Sequence, residues 1–149
     1  MVAKIDKKDL RILEILKEHG NLTVRQVSSR TQLPLTTVHH RIKRLKSSGV
    51  IKRHTIEIDN KKIGKGLAAY SLVRVDSKYL KGFRKTQHDL VKDLMRRDFI
   101  EKADIVTGTI DIILLIRARN VDDLDDIIVK LRDIQGIEST QTLVILHES

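Results

Sequence analysis

From Leu67 onward the hydrophobic pattern switches between the strand period and the helix period in a fixed order. "LAAYSLVRV" reads as a strand, "LKGFRKTQHDLVKDLMRR" as a helix with Leu80, Phe83, Leu90 and Leu94 inward, and "IEKADIVTG" as a strand. After the tight "TGTI" turn, "IDIILLIRA" reads as a strand. "VDDLDDIIVKLRDI" is then a helix with Leu124, Ile127, Ile128, Leu131 and Ile134 on one face, and "STQTLVILHE" is a closing strand. Strand, helix, strand, strand, helix, strand is the split β-α-β unit of ferredoxin-like βαββαβ folds, in which right-handed crossovers put both helices on one face of an antiparallel sheet.

A sheet covered by helices on one side and by water on the other alternates apolar with polar residues. Here Ile110 to Ile116 is interrupted only by Asp111, and Leu143 to Leu146 is wholly apolar. Both faces need cover, and the helices supply it for one. The other face is expected to pack on the sheet of a second copy, giving a dimer; the alternative is that the strand ends lie under the linker or the N-terminal part.

The first third of the chain reads as short helices. In "IDKKDLRILEILKEHG" Asp6 is the N-cap with Asp9 three residues on, Leu10, Leu13 and Leu16 are the apolar positions flanked by Ile12 and Ile15, and Gly20 is the stop. A second helix starts at Thr23, in capping-box spacing with Gln26, and ends about Arg30. The connection "TQLP" leads to a third, with Pro34 or Leu35 in its first turn. Leu35, Val38, Ile42 and Leu45 face inward along it, which leaves Thr36, Thr37, His40, Lys43, Arg44 and Ser47 outward. Gly49 ends the helix, and "VIKRHTIEID" reads as a strand bounded by Asp59, Asn60 and "GKG". The expected organisation is residues 1–51 as one domain, 52–66 as a hinge strand and linker, and 67–149 as the ferredoxin-like domain.

Charge follows the same division. Residues 1 to 55 carry 13 Lys and Arg against 4 Asp and Glu, and residues 56 to 149 carry 16 against 16, so the net excess of +9 lies in the first third. A basic unit joined to a neutral one suggests a polyanion-binding module attached to a module with another job. There is no cysteine, which excludes disulfides, thiolate metal sites and cysteine nucleophiles. The histidines are scattered without metal-binding spacing, so no metal and no cofactor are expected. The start is charged from Lys4 onward and no run is apolar enough to span a membrane, so a soluble protein of the cytoplasm is expected, with no membrane partner.

Two short helices joined by a tight turn, the second apolar inside and basic and hydroxyl-bearing outside, make a helix-turn-helix. The stretch "LPLTTVHHRIKRLKSSGVI" contains no carboxylate. Thr36, Thr37, His39 and His40 lie in the first turns of the recognition helix, which face base edges in the major groove. Arg41, Lys43, Arg44 and Lys46 complete the expected contact set for double-stranded DNA, with Lys43, Arg44 and Lys46 placed for phosphates.

The segments "IDKKDLRILEIL", "LTVRQVSSRTQLPLTTVHHRIKRLKSSGVIKRHTIEID", "VTGTIDIILLIRA" and "IQGIESTQTLVIL", in that order, resemble the Lrp/AsnC (leucine-responsive and asparagine-regulator, or feast/famine) family of bacterial and archaeal transcription regulators, the archaeal type in particular. The resemblance covers nearly the whole chain. It implies an N-terminal winged-type helix-turn-helix, a hinge strand, and a C-terminal module that dimerises, often builds octamers, and binds small effectors, usually amino acids, between dimers. By the same resemblance the "G-x-x-D" turn becomes Gly108 and Asp111, where an effector or the neighbouring dimer is met, and Val121 and Leu143 match positions linked to effector response. The sequence departs from the pattern at Pro34, where a serine cap is frequent, and over residues 76–104, a longer segment that is expected to lengthen the first helix of the second domain.

Two other readings share the layout. Some relatives of this family resemble sirohaem decarboxylases, but His88 and His147 have no evident buried partner, and no catalytic residue is expected. An architectural DNA-binding protein that senses no metabolite shares every feature of the N-terminal part.

Overall fold

A computed structural model describes residues 3–148. The chain divides into two compact units, Met1–Ile58 and Asp59–Ser149, a division that falls inside the stretch 52–66 read as the linker.

In the first unit α1 spans Lys7–Glu18, α2 Val24–Thr31 and α3 Leu35–Ser47. Reciprocal capping boxes start the first two: Asp6 accepts from the Asp9 amide while Asp9 accepts from the Asp6 amide, and Thr23 and Gln26 do the same. Gln32, in the left-handed conformation at φ 56°, ends α2 and turns the chain into α3. Ile12, Val27, Val38, Ile42 and Leu45 form the core. Two expected core positions are exposed instead, Leu10 and Leu35. The inward face of α1 runs through positions 9, 12, 13 and 16, so the buried place in its first turn goes to Asp9, and Leu10 lies about a hundred degrees away. Leu35 is the first residue of α3, a turn beyond the Val38 position where the core begins.

After α3 the amide of Ile51 donates to Leu45 O, and Gly49 takes φ +74°, open only at a cost to residues with a Cβ. Residues 52–58, expected as a strand, form no ladder. Extended backbone becomes a strand only when a second strand pairs with it, and none does so among the described residues.

The second unit is a four-stranded antiparallel sheet of order β2-β3-β1-β4, with β1 Leu67–Val75, β2 Ile100–Ile105, β3 Ile112–Ala118 and β4 Ile137–Val144. This is the expected ferredoxin-like α+β arrangement. The segment between β1 and β2, expected as one long helix, is two: α4 Ser77–Gly82 and α5 Gln87–Leu94. Asp76 caps α4, Arg84 breaks the run at φ +53°, and Thr86 with Asp89 forms a fresh capping box for α5. The break turns Phe83, read as inward, out to solvent, while Leu80, Leu90 and Leu94 are buried as expected. The long segment thus adds a short helix and does not lengthen the main one.

α6, Val121–Arg132, lays Leu124, Ile127 and Leu131 on the same side of the sheet as α5, over Ala69, Val73, Ile112, Leu114 and Ile116. The opposite face carries Tyr70, Leu72, Ile113, Leu115 and Leu143, set side by side by the pairings of Tyr70 with Leu115 and Leu143 and of Leu72 with Ile113. Among the described residues no helix of the second unit covers it, and Tyr70 and Leu143 are exposed.

Candidate functional site

The outer face of α3 is built by the inward stripe on its other side. With Val38, Ile42 and Leu45 buried, the 3.6-residue period turns Thr36, His39, His40, Lys43, Arg44, Lys46 and Ser47 out, and all are exposed, with Thr37 half-buried at the flank. The rings of His39 and His40 meet edge to face at 5.7 Å. Neither Lys43 nor Lys46 forms an ion pair among the described residues.

Arg41 departs from the expected contact set. Its side chain is 19% exposed, and Nη1 donates to Asp6 Oδ1 and Oδ2, at 2.8 and 2.7 Å, and to Asp9 Oδ1 at 2.8 Å. Arg41 therefore ties α3 to the first turn of α1. The hydrogen bond from Arg41 pulls the Asp6 carboxyl down to about 2, and the same carboxylates push the guanidinium of Arg41 up. Arg44 Nη2 donates to Asp9 Oδ2 at 2.5 Å although its side chain is 53% exposed. Sequence reasoning found Asp9 as a capping residue and missed its second role. The available signal was its spacing from Ile12 and Leu16, which puts it on the buried face of α1.

Of the residues expected for an effector, Gly108 and Asp111 share one turn, while Val121 and Leu143 lie on other elements. Gly108 sits at φ +121° in the exposed turn between β2 and β3, and Asp111 follows it at the start of β3. Asp111 is half-buried and each carboxylate oxygen accepts one hydrogen bond: Oδ2 from the Val75 amide at 2.8 Å and Oδ1 from Gln87 Nε2 at 3.0 Å. Val121, 71% exposed, opens α6 just beyond the other end of β3. At about 3.3 Å per residue, β3 alone puts roughly 20 Å between that end and Asp111. Leu143, 46% exposed, lies on the open sheet face beside Tyr70. A cavity of about 660 Å³ between α4, α5 and α6, lined by Leu80, Leu90, Arg97 and Lys130 among others, holds none of the four. Among the described residues no His, Asp and Glu side chains are grouped to hold a metal ion, and no helix is long and apolar enough to cross a membrane.

Comparison with known proteins agrees with both units. Residues 5–52 match the winged helix-turn-helix DNA-binding family, and residues 69–149 match the Lrp/AsnC ligand binding domain. An uncharacterized HTH-type transcriptional regulator of Pyrococcus horikoshii is 36% identical over 141 residues, 94% of this chain and 91% of that protein. The structure of LrpC from B. subtilis superposes with a TM-score of 0.84 at 27% identity, covering 99% of this chain and 98% of that one. A transcriptional regulator of Neisseria meningitidis, solved as a complex with L-Met, shares the fold with a TM-score of 0.87 at 23% identity, over 97% of this chain and 92% of its own. A helix-turn-helix with a cationic outer face, joined to a ferredoxin-like domain of this topology, thus has counterparts along its whole length, and the chain belongs to the Lrp/AsnC family of DNA-binding transcription regulators.

Proposed function

We propose that this regulator reads specific DNA sites with α3, self-associates through the open face of its sheet, and adjusts its DNA affinity or assembly to a free amino acid. The observation that carries the reading is the exposed outer face of α3, which presents Thr, His, Lys and Arg and no carboxylate of its own. Thr36, Thr37, His39 and His40 are assigned to base edges, because their side chains both donate and accept hydrogen bonds there. Lys43, Arg44 and Lys46 are assigned to phosphates. Arg41 is left out of the contact set, since moving it to DNA would break its bonds to both Asp6 and Asp9 and leave Oδ1 of the buried Asp9 without its donor.

For the effector, the exposed turn at Gly108 is the proposed contact for an α-carboxylate. Asp111 already accepts from Val75 and Gln87, so its first service to this site is holding the turn, with a lone pair left on each oxygen for an ammonium group. An amino acid is far shorter than β3, so a site that also uses Val121 draws it from another copy, consistent with binding between dimers. The same engagement of Asp111 favours a second reading, an architectural DNA binder without an effector.

Titrating duplex DNA over a range of salt concentrations tests the first part. Log affinity falls steeply and linearly with log salt, and Lys43→Ala and Lys46→Ala each lower the slope by about one while weakening all sequences alike. His40→Ala mainly narrows the gap between preferred and random sites. A flat salt dependence rejects the assignment. Calorimetric titration with the twenty amino acids separates regulator from architectural protein: heat and a shift in DNA affinity with one of them supports the first, and silence with all of them supports the second.

A further inference from the structure

We infer that Asp9, a residue of α1 that never reaches the exposed surface, is a positioning residue for DNA binding: it grips the Arg44 guanidinium from behind and presents its free edge to a phosphate. The inference rests on α3 being the DNA-facing helix. Asp9 is fully buried, yet it is surrounded by donors. Its Oδ1 accepts from Arg41 Nη1 at 2.8 Å, and its Oδ2 accepts from the Asp6 amide at 3.0 Å and from Arg44 Nη2 at 2.5 Å. Asp6 and Arg41 thereby hold the carboxylate on two sides, and the third is given to Arg44.

Arg44 differs from Arg41 in what it has left over. Among the described residues only Nη2 of Arg44 is engaged with a carboxylate, while more than half of the side chain is in solvent, so Nε and Nη1 remain for an incoming anion. A phosphate takes two parallel N–H donors from a planar guanidinium, and that geometry is lost if the side chain wanders among its rotamers. An unanchored arginine surrenders that freedom on binding. A carboxylate behind it fixes the plane beforehand, as an outer-shell carboxylate fixes a metal-binding histidine.

Charge alone predicts the opposite. Asp9 brings a negative charge close to the expected phosphate, so if it acted only through the field its removal would tighten DNA binding and steepen the salt dependence. The two accounts differ in sign, which makes Asp9→Asn decisive.

The experiment uses the full chain and a preferred DNA duplex, below the melting temperature of every variant, with folding checked by circular dichroism. Asp9→Asn is expected to weaken binding on the order of tenfold, the effect typical of a group that orients a ligand, despite removing a negative charge. Arg44→Lys, which keeps the charge and loses the planar fork, is expected to weaken it by a similar factor, and the double variant to bind no more weakly than either single one. Glu14→Gln, an exposed carboxylate of α1, should leave affinity unchanged or raise it slightly. Binding by Asp9→Asn as tight as wild type, or tighter, overturns the inference. If Asp9→Asn fails to fold, Asp9→Ser takes its place, its hydroxyl still able to accept from the Asp6 amide: affinity at or above wild type overturns the inference and a loss on the order of tenfold upholds it. Should Lys43→Ala and Lys46→Ala also leave binding unaltered, the assignment of α3 to DNA fails; should they weaken it while Asp9→Asn and Arg44→Lys do not, only this inference does.

Discussion

Asp111 reaches from the start of β3 to the last residue of the antiparallel β1 beside it, where the amide of Val75 donates to its Oδ2 at 2.8 Å. The bond closes the place where the β1 register with β4 shifts between Arg74 and Val75, and Gln87 completes it by donating to Oδ1 from the first turn of α5. One carboxylate therefore holds a strand end, a hairpin turn and a helix start together.

Asp111→Ala leaves the buried Val75 amide without an acceptor, which costs about 1–3 kcal/mol. The melting temperature of the second unit should fall by several degrees. Asp111→Asn should fall less, because its remaining oxygen still serves Val75 while the Gln87 amide can turn its own oxygen to the new NH₂. Thermal unfolding that ranks Ala equal to wild type would show that the bond carries no net stability.

Such contacts mark the limit of what was legible in the sequence. The capping boxes at Asp6 and Thr23, the helix-turn-helix stripe of Val38, Ile42 and Leu45, and the strand and helix order after Leu67 are local patterns, written within a few residues of one another. Local pattern assigns Arg41 to the DNA face, because its carboxylate partners lie 35 and 32 positions away, at the start of α1, and Val75 likewise lies 36 positions from Asp111. The broken helix was readable in the spacing of Thr86 and Asp89, but Leu80, Phe83, Leu90 and Leu94 also fit one continuous apolar face, and periodicity masked the restart. Residues 52–58 carry strand propensity, and propensity cannot supply a pairing partner.

Arg84 is held at φ +53°, where a Cβ crowds the following carbonyl at a cost of roughly 1 kcal/mol. Arg84→Gly relieves this, although glycine also gains freedom in the unfolded chain, so the net gain is expected to be below about 1 kcal/mol. Arg84→Val should cost more than it, since a β-branched residue tolerates this region worst. Chemical unfolding should give the order Gly, Arg, Val; Val at least as stable as wild type would contradict the left-handed break.

Acid should loosen the first unit in a defined window. The carboxyl of Asp6, drawn to about 2 from its usual 3.8 chiefly by the hydrogen bond from Arg41, is a group whose pKa is lower folded than unfolded. Its contribution is complete above the unfolded value and is lost as the pH falls through the folded one, so stability should drop between about pH 4 and pH 2. Asp6→Asn should be less stable than wild type near neutrality and should flatten that decline. Parallel pH curves for the two proteins would remove the pair from the account.

The proposed self-association through the open sheet face has testable consequences. Its apolar centre, Tyr70, Leu72, Ile113, Leu115 and Leu143, is bordered by charges that already have partners in the same chain: Arg74 with Glu138 at 3.7 Å, Lys102 with Asp104 at 2.6 Å, and Arg117 with Glu101 and Glu148 at 2.5 and 2.7 Å. Two such faces can meet without leaving a buried charge unpaired, the cost that otherwise opposes the covering of a charged border. Association should then be driven by apolar burial, and added salt should leave it unchanged or strengthen it, whereas the same salt weakens DNA binding. Leu143→Glu puts a carboxylate at the centre of the face while costing the isolated chain little, because that side chain is 46% exposed. Analytical ultracentrifugation should find wild type as a dimer or a larger even assembly and Leu143→Glu as a folded monomer. Because the monomer engages one half-site instead of two, its affinity for a near-palindromic site should fall toward that for a single half-site. A wild-type monomer, or a Leu143→Glu variant that still pairs, would place the interface elsewhere.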